Sequence, residues 1–201
     1  MTAPITRRIF IVRHGNTFES GAPPCRIGAG TDIPLVATGQ AQADRLGAWF
    51  AEQPFAIRHI FSGPLLRARE TAERIGTALG KPIAAFLPWL NEIDHGRDEG
   101  LPESEVLARI GAQAIEAWDE QAIAPPGWQV DAEERIAAWK TYFTDGEAGT
   151  DILVTSNGAA RFALVALGLP LASLKLRTGA LGELLIEADG HVELQCWDYR
   201  P

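Results

Sequence analysis

The chain has 201 residues, 46% of them hydrophobic, and a formal net charge of -8. That length supports one substantial core and leaves little room for a second, so a single domain over residues 1–201 is expected. The acidic balance argues against a nucleic-acid or anionic-membrane partner, yet a few placed arginines can still build a pocket for a small anion.

The two cysteines, Cys25 and Cys196, lie far apart and form no CxxC or metal-ligand spacing. They read as free thiols of a reducing compartment, which favours the cytoplasm. The opening "MTAPITRRIFIVRHG" offers only a short apolar stretch broken by Arg13, too short for a signal peptide. Nowhere do about 18 apolar residues run together, as a membrane span requires, so a soluble protein is expected.

In chain order, "RIFIV" (Arg8 to Val12) is β-branched and aromatic, the pattern of a strand buried on both faces. Residues 14–37 are rich in Gly, Pro and polar side chains and read as a long irregular loop, of a length that is usually functional or disordered. Thr38 to Glu52 reads as a helix with Thr38 as N-cap and with Leu46, Trp49 and Phe50 at helical spacing. "HIFS" (His59 to Ser62) is a short strand. Pro64 then stands in the first turn of a helix that Gly80 stops.

A segment "AAFL" and the loop "WLNEIDHGRDEGLPE" follow, then one helix, "SEVLARIGAQAIEAWDEQ", broken by "APPGW". Asp131 with Glu134 resembles a capping box opening "AEERIAAWKTYF". "DILVTS" is a strand and "GAARFALVAL" a helix ended by Gly168. "GELLIEADGHVELQCW" reads as a hairpin with a type I′ turn at Asp189-Gly190. Strands alternating with helices predict an α/β fold, a three-layer α/β/α sandwich whose mostly parallel sheet has the hairpin as its antiparallel edge.

Ligands of open parallel sheets bind beyond the carboxyl ends of the strands. Three segments break there: Arg13-His14-Gly15-Asn16, Ser62-Gly63 with Arg67 one turn into its helix, and Ser156-Asn157-Gly158. Glu92, on the loop after "AAFL", can reach the same rim. Two guanidinium groups, an imidazole, a carboxylate and helix N-termini in one crevice suit an anion with tetrahedral oxygens. Taken singly, each has a plainer reading: His14 as a structural histidine, Arg67 on a solvated helix face, Glu92 as a surface carboxylate, Asn157 as a cap. Arg67 and Arg69 point to nearly opposite sides of one helix, and Arg67 is the one nearer the strand end. His59, His95 and His191 show no metal-ligand pattern, so no metal is expected.

The ordered set "RHGNT", "SGPLLRARETAE", "LNEIDHGRDEG" and "VTSNGAAR" resembles the histidine phosphatase superfamily, branch 1, the phosphoglycerate mutase-like type, over essentially the whole chain. The resemblance implies a phosphomonoesterase working through a phosphohistidine on a small phosphorylated metabolite, without metal or organic cofactor. His14 would be the nucleophile, Arg13 and Arg67 would hold the phosphoryl group, and Glu92 would be the proton donor. Asn16, Arg26, Asn157 and Gly158 would complete the phosphate site. The departure is Asn157, where most members carry a histidine. An amide still donates, and the lost charge-assisted bond is worth on the order of 1–3 kcal/mol, or about 10- to 100-fold in rate, so an attenuated or specialised phosphatase is expected. His95 is weighed as a substitute imidazole, with a plain loop histidine as the reading of greater weight. Competing readings are a non-catalytic binder of phosphorylated ligands and a phosphoglycerate mutase. A homodimer is left open. Trp118, Trp128 and Trp139 are expected mostly to pack between helices, with "APPGW" considered as a cover for the crevice.

Overall fold

The "RIFIV" run lies inside β1 (Ile5–Arg13). In the computed structural model, which describes residues 4–169 and 173–201, Ile9, Phe10, Ile11 and Val12 are all fully buried. Successive side chains of a strand go to opposite faces, so Phe10 and Val12 pack under one helical layer and Ile9 and Ile11 under the other. Residues 1–3 of the leading segment read for a targeting signal lie outside the described residues, as do 170–172.

The remaining elements are α1 (Ala37–Ala51), β2 (Ile57–Ser62), α2 (Leu66–Leu79), β3 (Ala85–Phe86), α3 (Glu103–Ile110), α4 (Ala112–Gln121), α5 (Ala132–Asp145), β4 (Gly149–Thr155), α6 (Asn157–Leu167), β5 (Leu181–Glu187) and β6 (Val192–Tyr199). The strands form one sheet in the order β3-β2-β4-β1-β5-β6. The first four run parallel, and β5 and β6 add the antiparallel edge. Leu46 and Phe50 of α1 and Ala68, Ala72 and Ile75 of α2 cover one face. Trp139 and Phe143 of α5 and Ala160 and Ala163 of α6 cover the other, completing the expected three-layer sandwich. No described helix is long and apolar enough to cross a membrane.

Register sets the rim. Arg13 stands beside Thr155 and Ser62 beside Val154, so three strands stop at one level. The His14 N–H then donates to the Thr155 carbonyl (3.0 Å) and the Gly63 N–H to that of Val154 (2.8 Å). The chain leaves the sheet at His14, Gly63 and Ser156 side by side.

Helix ends differ from the sequence reading in several places. The N-cap of α1 is Val36, with no side-chain cap, and Thr38 lies inside the helix. The first turn rests on the strand-end backbone: the Val36 N–H donates to the Asn16 carbonyl (3.1 Å). A Cβ on Gly39 would fall 2.1 Å from that same oxygen, so only glycine permits the approach. Pro64 precedes α2, which begins at Leu66, while Gly80 ends it in the left-handed region (φ 63°) as expected. The single helix expected through residue 121 is two, α3 and α4, interrupted at Gly111 (φ 83°, ψ 157°). Asp131 is left-handed (φ 49°) and makes no side-chain cap bond, so there is no capping box. In the hairpin Gly190 has positive φ and Asp189 does not. The Gly190 N–H donates to Glu187 (3.0 Å), a type I turn followed by a left-handed glycine in place of type I′.

Phe10 sits at the centre of an aromatic cluster, 5.0 Å from Phe50, 5.3 Å from Phe55 and 5.8 Å from Trp49 between ring centroids. Phe10→Ala is expected to cost about 3–5 kcal/mol of unfolding free energy in urea titration, with the denaturant slope unchanged. A loss below about 1 kcal/mol would contradict the packing described.

Candidate active site

His14 is the first residue beyond β1 and is buried. Its Nδ1–H donates to the Gly15 carbonyl (2.8 Å), which leaves the lone pair on Nε2. The Arg67 Nε–H donates to that Nε2 at 3.2 Å. Burial, then the charges of Arg67 and Arg13, hold the imidazole well below the usual histidine range, against the opposing pull of the Gly15 bond. The ring is therefore neutral at pH 7, with one defined tautomer.

Arg67 is fully buried on the first turn of α2. Its other two nitrogens donate to the carbonyls of Thr31 (2.6 Å) and Gly28 (3.1 Å). Arg69 is turned away, with its guanidinium 5.3 Å from the Phe86 ring, as the helical period requires. Thr71, one turn on, donates to the Arg67 carbonyl (2.8 Å) and accepts from the Gly15 N–H (3.1 Å), which locks α2 to the end of β1.

A cavity of about 500 Å³ opens here, with Arg13, His14, Glu92, His95, Asn157 and Gly158 on its wall. Arg67 stands behind His14 and is not part of that wall. Arg13 donates from Nη1 to the Leu176 carbonyl (2.8 Å), and its buried Nε has no partner among the described residues. Burial brings its pKa down to about 10, so it remains a cation at pH 7. Asn16 accepts from the Thr178 hydroxyl and lies 3.4 Å from Thr38 Oγ1, at the cavity's edge. Arg26 also lines the cavity, but is paired with Glu103 and has its guanidinium 5.0 Å from the Trp128 ring.

Glu92 is buried, and its Oε1 accepts from the Ile93 N–H (2.9 Å). A Cβ on Gly158 would fall 2.0 Å from that oxygen, so a glycine at this point of α6 is what lets the carboxylate in. Arg135 of α5 clamps the loop from behind, donating to the carbonyls of Asn91 (2.7 Å) and Val130 (2.8 Å). Burial pushes the Glu92 carboxyl upward, but His95, the Ile93 N–H, Arg67 and Arg13 together hold it below its ordinary value. His95 is itself drawn down to about 4 by burial, so near pH 7 it is neutral and its share of that pull is absent. It lies on the loop, as read from the sequence, and is buried there: it is 4% exposed, packs edge-on to Trp128 at 4.5 Å, and its Nδ1 has no partner among the described residues.

Asn157 opens α6. Its Oδ1 accepts from the Leu176 N–H (2.8 Å), which leaves the NH2 end as the donor available to the cavity. One turn on, Arg161 is fully buried, 3.8 Å from the Trp118 ring, and donates from Nε to the Asn157 carbonyl (3.3 Å). Burial lowers it to about 10, which still leaves a cation.

Sequence reading had no signal for Arg135 or Arg161, which look like ordinary helical arginines. The cavity's outer wall comes from the long loop, with Phe18, Cys25 and Ile27, and from Trp118 of α4. "APPGW" is not part of that wall; Trp128 is buried against His95 and Arg26 and donates to Asp98 (2.7 Å).

The chain matches the profile of the histidine phosphatase superfamily (branch 1) over residues 9–198. It is 27% identical over 157 residues to 2,3-bisphosphoglycerate-dependent phosphoglycerate mutase 2 of Gloeobacter violaceus, covering 75% of this chain and 70% of that one. To the probable phosphoglycerate mutase GpmB of Salmonella arizonae it is 31% identical over 170 residues, covering 81% and 76%. Its fold matches a mycobacterial glucosyl-3-phosphoglycerate phosphatase with a TM-score of 0.77 at 21% identity, over 96% of this chain and 99% of that one. With the matched segment spanning nearly all of the sheet and every strand end that builds the cavity, the chain belongs to the histidine phosphatase superfamily, branch 1.

Proposed function

We propose that the protein is a phosphomonoesterase that works through a phosphohistidine at His14. The observation that carries this reading is the imidazole itself: neutral, fixed in one tautomer, on the cavity wall, with its Nε2 lone pair addressed by a guanidinium. A binder of phosphorylated ligands needs cations but has no use for such a nucleophile.

In the forward step Nε2 attacks phosphorus in line. The P–O ester bond breaks and its electron pair stays with the departing alkoxide. The phosphoryl group arrives at the Nε2 that the Arg67 Nε–H addresses, so that N–H passes to an equatorial oxygen with the Gly28 and Thr31 bonds kept, and Arg13, the Asn157 amide and the first-turn N–H groups of α6 take the developing charge. The alkoxide needs a proton, and Glu92 in the empty site is ionised. A phosphomonoester whose second pKa is about 6 brings that proton with it, because two negative charges in so small a buried space favour sharing it. Glu92 then passes it to the leaving oxygen. In the return step Glu92 takes a proton from water, which attacks phosphorus while the P–N pair returns to His14.

Asn157 tunes this chemistry without removing it. A histidine there would face Arg13 across the Leu176 peptide and Arg161 one turn away, and both would keep it neutral.

His14→Ala is expected to abolish phosphate release and acid-labile phosphoenzyme; turnover at wild-type rate would refute the assignment. For Glu92→Gln, single-turnover rates with an alkyl phosphate should fall by about 100- to 10,000-fold. With p-nitrophenyl phosphate, whose leaving group departs without a proton, they should fall far less; equal losses on both would remove Glu92 as the proton donor. Asn157→His should gain no more than about tenfold in single-turnover rate, since a neutral imidazole replaces a neutral amide. A hundredfold gain would mean that a charged ring is what the site lacks.

A further inference from the structure

The wall of the cavity beyond the phosphoryl site carries its own charge pattern. Five ionised side chains line the whole cavity: Arg13 and Arg26 against Glu19, Glu92 and Glu103. His14 and His95 are both neutral near pH 7. Arg13 and Glu92 are taken up at the phosphoryl end, where a phosphate group meets Arg13, His14 and Asn157. That leaves one cation, Arg26, facing two carboxylates, and Arg26 is already paired with Glu103. Arg26 also packs 5.0 Å from the Trp128 ring, and its buried Nε has no partner among the described residues. Uncharged side chains make up the rest of this wall, among them Phe18, Pro24, Cys25, Ile27 and Trp118.

The backbone that carries Glu103 is held in place. The Arg26 N–H donates to the Leu101 carbonyl (2.9 Å), the Gly100 N–H to that of Arg26 (2.7 Å), and the Glu103 N–H to that of Pro24 (3.0 Å). Three main-chain bonds thus zip the loop bearing Arg26 to the start of α3 and keep the Glu103 backbone at the cavity, where its side chain pairs with Arg26. A cavity of about 500 Å³ has room for an organic group besides the phosphate.

We propose that the site takes phosphomonoesters of alcohols that carry no second anionic group, and turns away phosphorylated acids and bisphosphates. This rests on the phosphomonoesterase reading above. A hydroxyl on the leaving group finds carboxylate acceptors on the wall, whereas a second carboxylate or phosphate meets like charge with no unpaired cation to offset it.

The test uses two ligands that differ at one carbon: glycerol 3-phosphate, with a hydroxymethyl group, and 3-phosphoglycerate, with a carboxylate in its place. The ratio of kcat/KM, glycerol 3-phosphate over 3-phosphoglycerate, is expected to be about tenfold or more at low salt and to shrink as ionic strength rises. Glu103→Gln, which removes one repelling charge and unpairs Arg26, should narrow it several-fold; Glu19→Gln, at an exposed position, should narrow it less and serves if the first variant does not fold. A wild-type ratio near one, or one that neither substitution moves, overturns the proposal. Hydrolysis of p-nitrophenyl phosphate by the wild-type protein reports separately whether the site turns over at all. Dissociation constants of the same two ligands, measured by calorimetry on His14→Ala, give the ratio even without turnover, so failure of the specificity and failure of the activity are read in different experiments.

Discussion

A guanidinium buried beside an imidazole is the constraint from which the rest of this site follows. Arg67 is fully buried, and a charge in that position must have its donors satisfied. One goes to His14, and the others require carbonyls that no strand or helix nearby can spare. The loop supplies them at Gly28 and Thr31, which fixes its path across the end of α2. Ala29 then donates to the Ile93 carbonyl (2.9 Å), so the same loop is tied to the segment that carries Glu92. A buried charge that loses an acceptor keeps its desolvation cost without the offsetting bond, so these two contacts hold the loop to α2.

With the Ile93 N–H, the same cations hold the Glu92 carboxyl below its ordinary value. Arg13 and Arg67 both have their pKa values lowered by burial and both draw on the Glu92 charge. Without ligand, the carboxylate is the anion that the arginines see. A phosphate group entering beside them takes over that part, and the carboxylate is left in a buried place with less to hold its charge. It then accepts a proton, the form in which it can serve a leaving alkoxide. In the proposed reaction Glu92 and the phosphate therefore act as one electrostatic system, and a depressed carboxyl in the free protein is consistent with an acid in the complex.

Much of this was legible in the sequence because apolar runs announce strands and their abrupt ends announce the rim. "RIFIV" and "DILV" are buried on both faces and stop at the same level of the sheet, which puts His14 and Asn157 where the pattern said. The helical period set Arg67 and Arg69 on opposite sides of their helix, and nearness to the strand end singled out Arg67. Helix boundaries were less legible. Where α1 begins is decided by the contact of its first turn with Asn16, a residue distant in sequence, and the break at Gly111 depends on a backbone angle that helical propensity does not encode. Least visible were the walls. The loop of residues 14–37 has no periodicity, and its path follows from hydrogen bonds to Arg67, Ile93 and Leu101 that only the folded chain brings together.

Asn157 is then best understood with Arg161. A histidine in its place could offer the phosphoryl group a donor and, when protonated, a charge. Here the two functions are divided. The amide, turned by the Leu176 N–H, presents its NH2 end, while Arg161 supplies a fixed positive charge one turn deeper, backed by Trp118 and opposed by Asp119 at 3.7 Å and by the charge of Glu92. A donor that never ionises and a guanidinium that stays protonated at pH 7 make a site whose field does not change as an imidazole titrates. With His14 and His95 also kept neutral by burial, neither ring adds a charge to this cavity near neutral pH. The pH response that remains comes from the proton shared between Glu92 and the phosphate, the one proton the proposed reaction needs.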